Sequence, residues 1–456
     1  MTPRILAVVL IGVGCAGSGA GSRSAVTDQN SLAPTSLAAK CGYRMPGSQK
    51  VHLTADASHV NREPTKAEIR TMRSLMNAAA RVRNLPLKTP VAIRVQNQAA
   101  IRFYLNSQIK EADLQEANAL YGSLGLLDNT DGLGALLLDV LSEQVVGYYD
   151  PEHHYLVVRD DVLAGLFRNS GPALDEANAV LIHELVHALQ DQHLSLGTLH
   201  KQERSADADG AFQSLVEGDA TLGMLSYLAD RVGVTMQQFT QDLNVLRAVL
   251  AAAPMSGMPS DELSRSPRIL QTLLLSPYVD GLVFAATLYR DGGWPAINAA
   301  YRHMPTTTAQ VLHPHLFLRR DRSSNVTLPA FPQRLPGGYT LAYTDSLGEL
   351  AWRVYAAQAT TDQNAARAAQ GLVADRIGVY KNPHRRLAAA WLGLCRNAEE
   401  ARELEHAADA AHAASLPPEC RAANGVQRRG HQVLVSRALT DDAQQVLQDR
   451  LLATAN

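Results

Sequence analysis

The chain has 456 residues, of which 46% are apolar and 19% charged, and its formal net charge is -2. This composition is typical of a globular protein and excludes a largely disordered chain, while the length indicates two or three folded units. The near-neutral charge and the lack of a basic stripe with interleaved aromatic residues argue against nucleic-acid binding, so no nucleic-acid partner is expected.

Residues 1–15 are predicted to be a signal peptide. One basic residue, Arg4, precedes the apolar stretch 5–14, which is too short to span a bilayer and has the length of a signal-peptide core. Cys15 with the small residues before it is similar to the lipidated cysteine of a bacterial lipoprotein signal, although Gly12 departs from that pattern. Two hypotheses stay open: a lipid anchor at Cys15, or ordinary cleavage within 16–22.

Either hypothesis predicts export, to the cell envelope as a lipoprotein or as a secreted protein, with membrane contact only through the lipid anchor. No later segment is expected to cross a membrane. Export implies an oxidising compartment, where disulfides persist. Cys395 and Cys420 lie in one C-terminal region and are the expected disulfide, which leaves Cys41 unpaired.

Hydrophobic periodicity divides the rest of the chain into a tether and two domains. Residues 16–62 are rich in Ser, Ala, Gly and Thr and are predicted to be a flexible tether. Residues 63–325 form the first domain, with a strand at 91–95 and a hairpin over 145–158 around Asp150 and Pro151. The predicted helices of this domain are 98–109, 111–123, 133–143, 172–193, 203–231, 234–251, 266–290 and 295–304.

Prolines at 329, 332 and 336 mark the boundary of a second, smaller domain over 340–456. Its predicted elements are a helix at 345–371, a strand at 376–380, a helix at 386–413, a strand at 432–436 and a helix at 441–453. The whole chain is therefore expected to be α+β and mostly helical, with a small mixed sheet in the first domain and an α+β C-terminal domain.

The motif His183-Glu184-Leu185-Val186-His187 lies inside a predicted amphipathic helix. Because four residues make about one helical turn, both histidine rings project from one face and can share a metal ion. Glu184 lies beside them, where it could take a proton from a zinc-bound water. Chance produces this pattern in about one chain in fifty of this composition, so one catalytic Zn²⁺ ion is the expected cofactor.

A catalytic zinc site needs a third protein ligand, and two candidates exist. His193 follows His187 by six residues, but Gln190 stands where a glycine would be needed to turn the helix back, so His193 would face away. Glu217 lies on the next predicted helix, where Gly210, Gly218 and Gly223 would allow close packing. Glu217 is the preferred ligand. Asp207 and Asp209, at the start of the same predicted helix, could bind calcium but are expected to form a solvated helix start.

The segments HELVHALQDQH (183–193) and LVEGDAT (215–221) together resemble the gluzincin group of zincin-fold metallopeptidases. The resemblance implies a zincin-like catalytic domain over 63–325, with His183, His187 and Glu217 as ligands and Glu184 as general base. The chain departs from the group at Thr221, where an acidic residue is usual, and Asp219 or Asp209 is considered instead for orienting a ligand histidine.

The resemblance also implies an edge strand that binds extended substrate by backbone pairing, for which the hairpin 145–158 is the candidate. Related enzymes use a Tyr or His to stabilise the oxyanion. Tyr278 and His313 are the candidates here, although no spacing rule selects between them.

These features predict a zinc-dependent hydrolase that acts on a peptide or protein substrate. Two alternatives stay open: an envelope binding protein of zincin fold without proteolytic activity, and a zinc hydrolase acting on a non-peptide bond. Oligomeric state and substrate identity are not indicated by the sequence.

Overall fold

The computed structural model describes residues 37–54, 58–127, 132–168, 172–243, 261–320 and 326–452. The predicted signal peptide and the first part of the predicted tether lie outside these residues. Within them the chain is α+β, with helices predominating. The helices are α1 Leu37–Cys41, α2 Lys66–Arg83, α3 Gln98–Gln108, α4 Glu111–Ala117, α5 Leu133–Gln144, α6 Asp160–Arg168, α7 Pro172–Leu194, α8 Leu196–His200, α9 Ala206–Arg231, α10 Met236–Phe239, α11 Asp261–Arg265, α12 Arg268–Ala300, α13 Thr308–Leu312, α14 Pro314–Leu318, α15 Gly348–Ala356, α16 Asp362–Ala369, α17 Ala398–Ala414 and α18 Asp441–Leu451.

A small mixed sheet lies in the first half of the chain. Its strands are β2 Asn61–Arg62, β3 Ala92–Gln96, β4 Gly147–Asp150 and β5 Tyr155–Arg159, in the order β2-β3-β5-β4. β3 and β5 are parallel, whereas β4 and β5 form the predicted antiparallel hairpin, with Tyr149 opposite Leu156. β4 is thus the terminal strand of this sheet among the described residues.

The second half of the chain is built on a larger antiparallel sheet. Its strands are β6 Arg334–Leu335, β7 Tyr339–Asp345, β8 Leu372–Lys381, β9 Arg386–Cys395, β10 Val426–Arg429 and β11 Gln432–Arg437, in the order β10-β11-β9-β8-β7-β6. The prediction of a helix over 386–413 is wrong for its first ten residues, which are the central strand β9. An Ala- and Leu-rich run reads as helix by periodicity, but here β8 and β11 pair with it on both sides.

Residues 37–54 are part of the fold rather than a tether. The short strand β1 (Tyr43–Arg44) pairs with β9, and the carboxylate of Glu111 accepts hydrogen bonds from the backbone N–H groups of Gln49 and Lys50. The predicted disulfide between Cys395 and Cys420 is wrong. Cys420 is bonded to Cys41, and Cys395 is a buried free thiol.

The two predicted domains share a hydrophobic core. One cluster of buried side chains joins helices α3, α4 and α5 of the first half to β8, β9, α15 and α17 of the second half. Both halves are therefore held together by core packing as well as by the disulfide.

The helix α12 is long and apolar enough to cross a membrane by length and composition, contrary to the expectation that no later segment would be. However, 61% of its apolar window is buried inside the protein. Its side chains Leu282, Phe284 and Ala285 pack in one cluster with Phe212 and Leu215 of α9. This burial is typical of the core helix of a folded domain.

Candidate metal centre

The HELVH motif lies on α7, which packs one face against the small sheet. Leu181, Ile182, Leu185 and Leu189 are fully buried in one cluster with side chains of β3 and β5. Burial of this face fixes the rotation of the helix about its axis, because a helix turns about 100° per residue. His183 and His187 consequently point together toward α9.

The helix α9 supplies the third member of the site. Ser205 caps its N-terminus by accepting a hydrogen bond from the backbone N–H of Ala208. Two glycines then let it approach its neighbours closely: a Cβ on Gly218 would lie 2.0 Å from the carbonyl oxygen of Gly281 in α12, and one on Gly223 would lie 2.9 Å from Cγ2 of Val186. This close packing brings the buried side chain of Glu217 to the two histidines.

Three buried side chains, His183, His187 and Glu217, form a group that could hold a metal ion, with their donor atoms all within 4.8 Å of one another. The Nε2 atoms of the two histidines are 3.1 Å apart. Oε2 of Glu217 lies 3.1 Å from Nε2 of His183 and 3.5 Å from Nε2 of His187. Glu217, the ligand preferred from the sequence, is therefore grouped with the two histidines.

Without a metal ion, the Glu217 carboxylate and the imidazole of His187 attract each other, and this attraction shifts both of their pKa values. Burial alone would raise the pKa of Glu217, but the charge on His187 and hydrogen bonds from both histidines lower it to about 2. Burial alone would lower the pKa of His187, but the Glu217 carboxylate raises it to about 9. A proton is thus held where a cation would sit, and metal binding must displace it.

A second observation, the presence of buried polar atoms without hydrogen-bond partners, also indicates that this group of side chains fits a metal ion. Oε1 of Glu217 and Nδ1 of His183 are buried without a hydrogen-bond partner. A buried carboxylate oxygen without a partner is costly unless a cation or an ordered water binds it. Two imidazoles and one carboxylate are a ligand set that catalytic zinc sites use, with a further position left for water or substrate.

Glu184 lies beside this group and is partly buried. Burial raises the pKa of its carboxyl group above the ordinary value, and the two histidine charges oppose that shift. The backbone N–H of Tyr149 in β4 donates a hydrogen bond to the Glu184 carboxylate. The terminal strand of the small sheet therefore runs directly past the candidate base.

Of the two candidates for oxyanion stabilisation, the structure brings only Tyr278 to the group. Its ring lies 5.9 Å from that of His183, and its hydroxyl interacts with the Glu217 carboxylate. The ring of His313 instead contacts Glu349, with Nε2 2.9 Å from the nearer carboxylate oxygen, and also Arg353. Among the described residues His313 has no contact with the group of His183, His187 and Glu217.

His193, the alternative third ligand, faces away from the group. Its Nε2 donates to the carbonyl oxygen of Pro86 at 2.6 Å. This placement follows from the uninterrupted helix, since α7 continues to Leu194 and nothing turns His193 back.

The structure adds residues that sequence reasoning missed. Gln190 is fully buried and bonds His187, Arg83 is fully buried and bonds Asp219, and Tyr301 bonds Asp219 as well. Only Asp219 was considered from sequence, together with Asp209, which pairs with Arg204 instead. A usable signal for Gln190 was its position three residues after His187, on the same helix face.

Comparisons of the chain with protein-family models, with curated proteins and with solved structures found no match. The function of the protein is accordingly indicated by the geometry of the site and by the residue types in it.

Proposed function

We propose that this protein is a zinc-dependent hydrolase that cleaves peptide bonds, exported as a lipoprotein or a secreted protein, with a catalytic domain of zincin type. The observation that carries the proposal is the convergence of His183, His187 and Glu217 within 4.8 Å, with the carboxylate of Glu184 beside them. The histidine pair and the glutamate would hold one Zn²⁺ ion.

When bound, such an ion polarises a carbonyl group and makes water more acidic. In the proposed reaction Glu184 accepts a proton from the attacking water and delivers it to the leaving amine. The raised pKa of this carboxyl group suits both roles, because a base with a pKa closer to neutrality can also return the proton.

Substrate would bind as an additional strand along β4. A terminal strand leaves one row of backbone N–H and C=O groups unpaired, and an extended peptide can pair with them. Since Tyr149 of this strand contacts Glu184, a peptide paired to β4 would place a backbone carbonyl near the metal. The hydroxyl of Tyr278 would then donate a hydrogen bond to the developing oxyanion.

Glu184 favours hydrolysis over a binding role alone. Among the described residues it forms no ion pair with a lysine or arginine, and it is not one of the three grouped ligands. A partly buried carboxylate costs stability, and a site that only held a metal would have no need of one there.

The test is the variant Glu184→Gln, assayed for zinc content and for cleavage of a diverse peptide library. We expect full zinc content with a loss of cleavage of roughly 10²- to 10⁴-fold, because general-base catalysis is removed while the ligands remain. His193→Ala on the same helix is the matched control and should keep both. Full activity in Glu184→Gln would refute the mechanism, and a zinc-loaded wild type that cleaves no peptide would refute the peptidase assignment.

A further inference from the structure

A buried polar network lies behind His187, on the side away from Glu217. Gln190 is fully buried, and its Oε1 lies 2.8 Å from Nδ1 of His187. From this network we propose that Gln190 is the positioning residue for His187. It fixes the orientation of the imidazole ring and keeps the ring proton on Nδ1. The ion pair of Arg83 with Asp219 in turn holds the Gln190 amide in the orientation that faces Oε1 toward His187. The inference rests on the proposed metal site and concerns how tightly that site binds its ion.

The amide of Gln190 can take only one orientation. Its Nε2 donates to the carbonyl oxygen of Val216 and to Oδ2 of Asp219, both at 3.0 Å. Neither of these atoms can donate a hydrogen bond, so a flipped amide would place its oxygen against two other acceptors. The Oε1 end must therefore face His187.

This orientation determines the tautomer of His187. Because Oε1 is only an acceptor, Nδ1 of His187 must carry the hydrogen. In the neutral ring Nε2 then has a free lone pair, and Nε2 is the atom that points at His183 and Glu217. The network thus prepares His187 to bind a metal ion through Nε2.

Asp219 is itself held from several parts of the chain. Arg83, the last residue of α2, donates to both carboxylate oxygens, with Nε 2.6 Å from Oδ1 and an Nη nitrogen 3.1 Å from Oδ2. The hydroxyl of Tyr301 donates to Oδ2 at 3.0 Å. Arg83 also donates to Asn298 and lies 4.5 Å above the ring of Trp294. These contacts leave Asp219 little freedom to rotate away from Gln190.

The other ligand histidine has no comparable support. Nδ1 of His183 is buried without a hydrogen-bond partner, and its ring packs at 5.9 Å from that of Tyr278. The orientation of His183 thus depends on packing, whereas that of His187 depends on Gln190. Loss of the Gln190 amide should therefore change the orientation of His187 and leave that of His183 unchanged.

The test measures zinc affinity of the full chain by competition with a chromophoric chelator. Gln190→Met keeps the length of the side chain and removes its acceptor, so we expect the Kd for zinc to rise about 10- to 100-fold. Gln192→Met is the matched control and should leave the Kd unchanged, because among the described residues the side chain of Gln192 bonds the backbone of Lys88 and Thr89 and nothing in the metal site.

Nitrogen NMR of the wild type supplies a readout that needs no variant to fold. In zinc-loaded protein we expect His187 to carry its proton on Nδ1 and to bind through Nε2; the opposite tautomer would overturn the proposal. A Kd in Gln190→Met equal to that of wild type would overturn it as well. Zinc affinity is independent of cleavage, so a protein that binds zinc but cuts no peptide would refute the proposed function alone.

Discussion

Buried carboxylates lie at two places along the helix α9, and their charges are compensated in different ways. Near its middle, Glu217 and Asp219 contact His183, His187 and Arg83. At its start Asp207 lies with two carboxylates of the C-terminal half in what we term the junction cluster. The junction cluster consists of Asp207, Asp345 and Asp375.

Neutral donors satisfy the junction cluster. Asp207 accepts from the backbone N–H and the hydroxyl of Thr308, and Asp345 accepts from the backbone N–H of Ala206. Within the described part of the chain, none of the three cluster carboxylates has an ion pair with a lysine or arginine. Burial raises the pKa of Asp207 and of Asp345 to about 7, whereas Glu217 is held at about 2 by its histidines.

The difference shows that burial alone does not make a carboxylate a ligand. Both groups contain carboxylates of α9, and all of their members are buried. The adjacent imidazoles hold the pKa of Glu217 at about 2, and a carboxylate with a low pKa is available to bind a metal ion. Charge compensation therefore distinguishes the candidate metal site from the junction cluster.

The largest predicted effect is at Arg83. Arg83→Met removes the only cation bonded to Asp219 among the described residues and leaves a buried carboxylate uncompensated. We expect the free energy of unfolding of the metal-free protein to fall by about 3–5 kcal/mol, measured with urea. Arg81→Met is the control on the same helix: its pair with Asp230 is exposed, so the loss should stay below about 1 kcal/mol. Equal losses of unfolding free energy in Arg83→Met and Arg81→Met would contradict the expectation that the buried ion pair stabilises the protein more than the exposed one.

The second prediction concerns pH. Because the folded pKa of Asp207 is about 7 and its ordinary value is 3.8, the unfolded chain releases a proton between about pH 4 and 7 that the folded chain keeps. The contribution of Asp207 to stability is therefore full below about pH 4, falls as the pH rises through this window, and is lost above it, an effect on the order of a few kcal/mol. Asp207→Asn should flatten the pH dependence of the urea midpoint and match or exceed wild type at pH 8. An unchanged slope would contradict the raised pKa.

The smallest predicted effect is at Thr308. Its hydroxyl donates to Asp207, and a hydrogen bond to the ionised form lowers a carboxyl pKa. Thr308→Val should cost about 1 kcal/mol and move the pH window of the second prediction upward. A window that moved downward would mean that the hydroxyl does not stabilise the charged carboxylate.

Local sequence information predicted the residues that the structure groups at the centre of the candidate metal site. Spacing alone placed His183, Glu184 and His187 on one turn of α7, and Gln190 in place of a glycine favoured Glu217 over His193 as the third ligand. These inferences depend on helix periodicity and on backbone approach, which a short segment encodes. The strand β3 and the hairpin β4–β5 were also predictable, because alternating apolar residues and turn residues are likewise encoded in a short segment.

The sequence predictions that failed concern features that depend on contacts between distant segments of the chain. Arg83 and Asp219 are 136 residues apart, and no local pattern pairs them. Asp207 was expected at a solvated helix start, but it is buried, bonded by Thr308 and by the backbone carbonyl of Ser346 in the C-terminal half. Likewise β9 was mistaken for a helix because its neighbours on both sides decide its conformation, and Cys420 pairs with Cys41 from the other end of the chain.

Zinc content after exhaustive dialysis tests the central claim most directly. Elemental analysis should find one zinc ion per chain in wild type and in His193→Ala, and far less than one in His187→Ala and in Glu217→Ala, because each of the latter two variants removes one of three ligands. Retention of zinc in Glu217→Ala together with its loss in His193→Ala would contradict the account.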